Sequence, residues 1–119
     1  MLKECNESEL ESLMVEHPDS IFYRVSRKPI FVKGVKSAAL ALAPSKHLHS
    51  DYTNGRITWE DYVLRYNQQI TESRKAQKTL ASIKAQAETA DVYFVCFCGR
   101  EKGEQCHRFL LLELVKEIP

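Results

Sequence analysis

Cys96, Cys98, Cys106, His107 and Arg108 fall within one short stretch near the end of the chain, DVYFVCFCGREKGEQCHRFLLLELVKEI. Thiol, imidazole and guanidinium are the groups of nucleophilic and anion-directed chemistry. A cysteine at a helix N-terminus, near cations, has its thiolate favoured by the helix dipole and by those charges. A histidine beside it can move the proton, and an arginine can clamp an anionic group. Arg100 and Lys102 add positive charge in the same segment, and Gly99 and Gly103 allow loop amides to turn toward a bound anion.

Spacing narrows the chemistry. A cysteine-phosphatase cradle needs an arginine six positions after the cysteine. Counting on from Cys96 reaches Lys102, and from Cys98 it reaches Glu104. A rhodanese-like loop is equally poorly matched by the charged GREKGEQ, and no Cys-x-x-Cys redox pair is present, although Cys98 and Cys106 could meet if the loop folds back. Cys96, Cys98, Cys106 and His107 make a zinc set in kind. Regular geometry works against it, because Cys96 and Cys98 would stand about 6 to 7 Å apart on one strand face. Adjacent Cys106 and His107 would diverge by about 100° on a helix. Cys106 and His107 are taken as the candidate catalytic pair, and Arg108, Arg100, Gly99 and Gly103 as the candidate anion-binding set, with no metal assigned and the cofactor left unknown; a well-capped turn with partly buried cysteines is the alternative.

Elsewhere the titratable residues are less pointed. Cys5 lies in a polar stretch and reads as incidental; His47 and His49 read as solvated or packing residues, and His17 before Pro18 as a helix end. Arg74, Lys75, Lys78 and Lys84 could touch a phosphate backbone, but with few aromatic neighbours they read first as a solvated helix face.

Composition sets the frame. The chain has 119 residues, 44% apolar and 28% charged, with a net charge of +1, so one ordinary core is expected and whole-molecule attraction to nucleic acid or acidic membrane is not. No stretch approaches the roughly 20 apolar residues of a membrane span, and MLKECNESELESL has no apolar signal core. A cytoplasmic location is the expectation, and there four cysteines are more often thiols or ligands than structural disulfides.

The elements that must position the cluster can be traced along the chain. Residues 7 to 17 pattern as a helix with Ser8 and Glu11 as a capping box. SIFYRVS alternates as a strand, and RKPIFVKG adds a second extended piece before Gly34. SAALALAPS fits either a helix or a buried strand, with the strand preferred. Ser45 caps a short helix through residues 46 to 52, which stops at Asn54-Gly55, and Thr58 caps a longer one with Asp61 at its third position. Trp59, Tyr62, Val63, Tyr66 and Ile70 form its apolar stripe; a phase shift after Thr71 predicts a separate helix over 73 to 88, with one kinked helix as the alternative. Residues 92 to 97 read as a strand buried on both faces, and a well-buried helix starts near Cys106. The sum is an α/β fold, a single small domain over residues 1 to 119 with a largely parallel sheet flanked by helices. In such sheets ligands gather beyond the carboxyl ends of the strands, where the cluster falls.

Three blocks, Ala43-Pro44-Ser45, Trp59/Tyr62/Tyr66 and Cys106-His107-Arg108, occur here in the order seen in a known family. Over roughly residues 20 to 118 the chain resembles the prokaryotic domain-of-unknown-function 488 family. Many members carry Asp-Val-Arg on an early strand, where this chain has Tyr23-Arg24-Val25. The resemblance implies an α/β domain with its shared site at the Cys106-His107-Arg108 turn. It implies no particular reaction.

Three functional expectations follow. The first is an enzyme acting on an anionic, phosphate- or nucleotide-like small molecule through Cys106. The second is a non-catalytic phosphate or nucleic-acid binding module, or a metal-binding protein. In the third the turn is structural, with His107 and Arg108 bonding strand-end carbonyls or a carboxylate such as Glu113 or Glu101.

Overall fold

The computed structural model describes residues 1–96 and 106–119. Its elements are β1 (Leu2–Asn6), a 3-10 turn at Glu7–Glu9, α1 (Leu10–Glu16), β2 (Ile21–Arg24), β3 (Val35–Ser37), α2 (Ala39–Leu42), α3 (Lys46–Thr53), α4 (Trp59–Glu72), α5 (Arg74–Gln86), β4 (Val92–Cys96) and α6 (His107–Lys116). The four strands form one sheet in the order β1-β4-β2-β3, and every pairing is parallel. The α/β reading with a parallel sheet and flanking helices holds.

β4 occupies an interior position, paired to β1 and β2, and all five of its residues are buried. Its unbroken run of apolar residues is what a strand covered on both faces requires. Alternation divides them. Tyr93 and Val95 join Cys5, Phe22 and Leu10 in a small core beneath α1. Val92, Phe94 and Cys96 join the larger core built with Leu42, Tyr66, Ile70, Leu80, Leu111 and others from α2 to α6.

The helix ends follow their caps. Ser45 Oγ accepts from the Leu48 amide at 3.1 Å, and Gly55 takes the left-handed conformation, φ +73°, that ends α3. Thr58 and Asp61 form the expected reciprocal box on α4. α4 and α5 are two helices, with Ser73 closing one and capping the other.

Four local readings need correction. The N-terminal segment is a strand, not merely a polar lead into a helix. Pairing of residues 2–6 with 92–96 overrides its polar composition, and Cys5 becomes core rather than incidental. The capping box accordingly sits earlier, on Asn6 and Glu9 rather than Ser8 and Glu11. The second extended piece lies after Gly34, not before it: β3 begins at Val35, and Gly34 makes the entry with φ +94°. SAALALAPS contains α2, not a strand. Ala and Leu favour the helix, and Ala43 is extended (φ −68°, ψ 147°), as the residue before a proline prefers.

Candidate functional site

α6 begins where the cluster was expected, beyond the carboxyl end of β4. Cys106 is its N-cap, with extended backbone (φ −147°, ψ 146°), while His107 is its first helical residue. Divergence by one helical step therefore does not apply to this pair. Their side chains converge instead: Cys106 Sγ is 3.7 Å from His107 Nδ1. Cys96, in phase with Phe94 on the same sheet face, closes the group, its Sγ 3.3 Å from Cys106 Sγ and 4.0 Å from His107 Nδ1. All three residues are buried.

His107 has a defined tautomer. Its Nε2 is 2.7 Å from the carbonyl oxygen of Val25, just past β2. A carbonyl only accepts, so Nε2 carries the hydrogen and Nδ1 presents a bare lone pair to the two sulfurs. Burial holds the ring neutral, pushing its pKa down to about 4 against a partial restoring effect of the Val25 hydrogen bond. Cys106 is disulfide-bonded in the structure, so thiol chemistry at this position belongs to the reduced chain.

Arg108 is also buried, and its positive charge near a helix N-terminus is opposed by the dipole. Glu4 on β1 compensates, with Oε2 at 2.6 Å from Arg108 Nε. Among the described residues neither of those atoms has an aligned hydrogen bond, so the contact is ionic rather than a directed N–H···O bond, and buried Nη1 has no hydrogen-bond partner there. The guanidinium also lies over the Phe109 ring, 4.8 Å from its centre.

The Ala43-Pro44-Ser45 turn and the aromatic stripe of α4 support this cluster. Tyr66 sets its ring edge-on to His107, with centres 5.6 Å apart, and donates its hydroxyl to Leu42 O at 2.5 Å. Gln69 donates to Ala43 O at 2.9 Å and accepts from the Ser45 amide at 2.9 Å. α4 thereby ties the Ala43-Pro44-Ser45 turn to the wall behind the imidazole. Tyr62 stacks between Trp59 and Tyr66, extending that wall outward.

Of the candidate residues, Cys106 and His107 meet, and Arg108 follows them on the same helix turn. Arg100, Gly99, Gly103 and Cys98 lie outside the described residues. Glu113 pairs with Lys116 and not with Arg108. Arg24 on β2 donates to Ser37 Oγ at 2.9 Å. His47 contacts Asp51, which also pairs with Arg56 and Arg65; these cations hold the Asp51 carboxyl below its usual range, Arg65 foremost.

Sequence reasoning joined Cys96 to Cys106 only within a zinc set, although its phase with Val92 and Phe94 puts it on the face that Cys106 meets. It expected a strand-end carbonyl for His107 without saying which, and Val25 supplies one. Glu4 was missed, because β1 itself was not foreseen. A surface cavity of about 300 Å³, lined by Glu16, His17, Asp19, Asp91 and neighbours, lies at the amino ends of β2 and β4, away from this chemistry. Among the described residues no helix is long and apolar enough to cross a membrane.

Comparison with curated proteins and with solved structures finds no match. Residues 11–118 match the family model described as the active DUF488-N3 subclade, and the chain belongs to that DUF488 family.

Proposed function

We propose that this chain is an enzyme acting on an anionic small molecule, phosphate- or nucleotide-like in kind, with reduced Cys106 as its reacting thiol. The observation that carries the reading is the locked imidazole. With Nε2–H committed to Val25 O, Nδ1 faces Cys106 Sγ at 3.7 Å as an acceptor for the thiol proton. In the reaction, sulfur bonds to the electrophilic centre, its proton passes to Nδ1, and the departing group takes that proton as its own bond breaks. Arg108 supplies an anion clamp through Nη1, which is buried and has no hydrogen-bond partner among the described residues. Arg100, Gly99 and Gly103, outside the described residues, stay in this proposal as anion-binding candidates on sequence grounds alone. The description of the matching subclade as active agrees with it.

Reduced protein tests this with iodoacetate and iodoacetamide, an anionic and a neutral reagent for the same thiol, with the labelled site identified by mass spectrometry. Cys106 is expected to favour iodoacetate relative to a free thiol, to be protected by inorganic phosphate, and to lose both properties in Arg108→Met. A Cys106 that reacts only after denaturation overturns the proposal.

That result would favour a second reading, in which the turn is a structural clasp. The contacts of His107 with Val25 and of Arg108 with Glu4 favour it. A salt-sensitive binding module using Arg74, Lys75 and Lys78, all exposed, would show instead as nucleic-acid affinity falling steeply with salt.

A further inference from the structure

The enzymatic reading leaves Cys96 without a role. Yet Cys96 Sγ, Cys106 Sγ and His107 Nδ1 all lie within 4.8 Å of one another. We propose that in the reduced chain these three atoms form a binding site for a thiophilic divalent cation, Zn²⁺ by ligand kind.

Distances support the fit. Tetrahedral zinc, with Zn–S near 2.3 Å and Zn–N near 2.0 to 2.1 Å, sets its ligands about 3.8 Å apart for two sulfurs and about 3.5 Å apart for sulfur and nitrogen. The separations here are 3.3 Å for the sulfurs and 3.7 and 4.0 Å for sulfur to nitrogen. Each differs from the ideal by about half an ångström or less, within the reach of small side-chain rotations.

A second observation is independent of that spacing. Metal-binding histidines nearly always donate their remote N–H to a carbonyl or carboxylate, which fixes the tautomer and aims the lone pair at the ion. The Nε2–H to Val25 O bond does this here, and Tyr66 packs against the ring. Two thiolates and a neutral imidazole favour zinc over the hard cations magnesium and calcium. Thiolate charge inside an apolar core would be costly alone, and a divalent cation offsets it.

The site is a three-ligand set among the described residues, the kind that leaves a fourth position for water or another donor. The proposal also bears on regulation, and this part rests on the enzymatic reading. The ion would occupy the sulfur and the nitrogen that the reaction needs, so Zn²⁺ and thiol chemistry at Cys106 exclude each other.

The experiment is an anaerobic titration of reduced, chelator-stripped protein with Co²⁺, a coloured substitute for zinc. One equivalent is expected to give a sulfur-to-cobalt charge-transfer band that Zn²⁺ abolishes by displacement. Cys96→Ser is expected to weaken binding by more than about 100-fold, beyond the usual loss from a supporting group, and Cys5→Ser to leave it unchanged. In the wild-type chain, Zn²⁺ should protect Cys106 and Cys96 from alkylation together. Absence of the band, or wild-type affinity in folded Cys96→Ser, overturns the proposal. Its failure is separable from that of the enzymatic reading: metal binding without anion preference at Cys106 sinks only the latter, and anion preference without metal binding sinks only the former.

Discussion

Cys5 and Cys96 lie on neighbouring strands, one register step apart, and each is 2% exposed. Their surroundings differ because alternate strand residues face opposite sides of the sheet. Cys5 enters the thin core under α1 with Leu10, Phe22, Tyr93 and Val95. Burial, with Glu9 and Glu4 adding repulsion, pushes its thiol up to about 12, so it is a small apolar core residue. Cys96 enters the thick core beneath α6, where a second sulfur and an imidazole meet it. Burial alone thus says little about a cysteine's role. The face it occupies decides which groups it meets.

The contrast can be broken or sharpened by substitution. The largest effect is expected where charge is buried on the α6 side. Glu4→Gln should cost about 3 kcal/mol in urea unfolding, because the Arg108 guanidinium stays buried without its counter-charge. Arg108→Met in the same chain should recover most of that loss; additive costs would show that the pair is not coupled.

A comparable effect is expected from pH in metal-free protein. His107 is held neutral in the fold down to about 4, against an ordinary value of 6.5. Between those values the unfolded chain binds the extra proton, so stability rises with pH across the window and falls on acidification. The change should be on the order of 3 kcal/mol, and His107→Gln should flatten it. An unaltered profile in that variant would refute the assignment of the effect to His107.

Smaller still is Tyr66→Phe. Removing the hydroxyl that donates to Leu42 O should cost about 1 to 2 kcal/mol, read as a lowered urea midpoint. The smallest effect on the site is expected across the sheet. Cys5→Ser should lower stability by about 1 kcal/mol, yet leave Cys106 alkylation as in the parent chain. Altered reactivity there would mean that the two faces are not independent.

Much of the scaffold was legible because local rules govern it. Thr58 with Asp61, Ser45 and Ser73 marked helix starts, the apolar stripe from Trp59 to Ile70 marked a buried face, and the run from Val92 marked a strand covered on both sides. The segments that misled are those where distant pairing outweighs local pattern. Residues 2–6 become a strand only through β4, and β3 is placed by its pairing with β2. At the site, the sequence placed Cys106, His107 and Arg108 at one strand-to-helix turn. Its regular-geometry argument kept Cys106 and His107 apart, whereas an extended N-cap lets them converge.

By itself, then, the sequence determined a parallel α/β scaffold and the position of a thiol, an imidazole and a guanidinium beyond the end of its buried strand. Periodicity, caps and residue types are local, and they suffice for that. Only the tertiary structure decided which cysteines face the imidazole, which nitrogen carries the hydrogen, and which carboxylate answers the arginine. Those outcomes depend on the Val25 carbonyl and on β1 pairing with β4, contacts between residues far apart in the chain that no local pattern encodes.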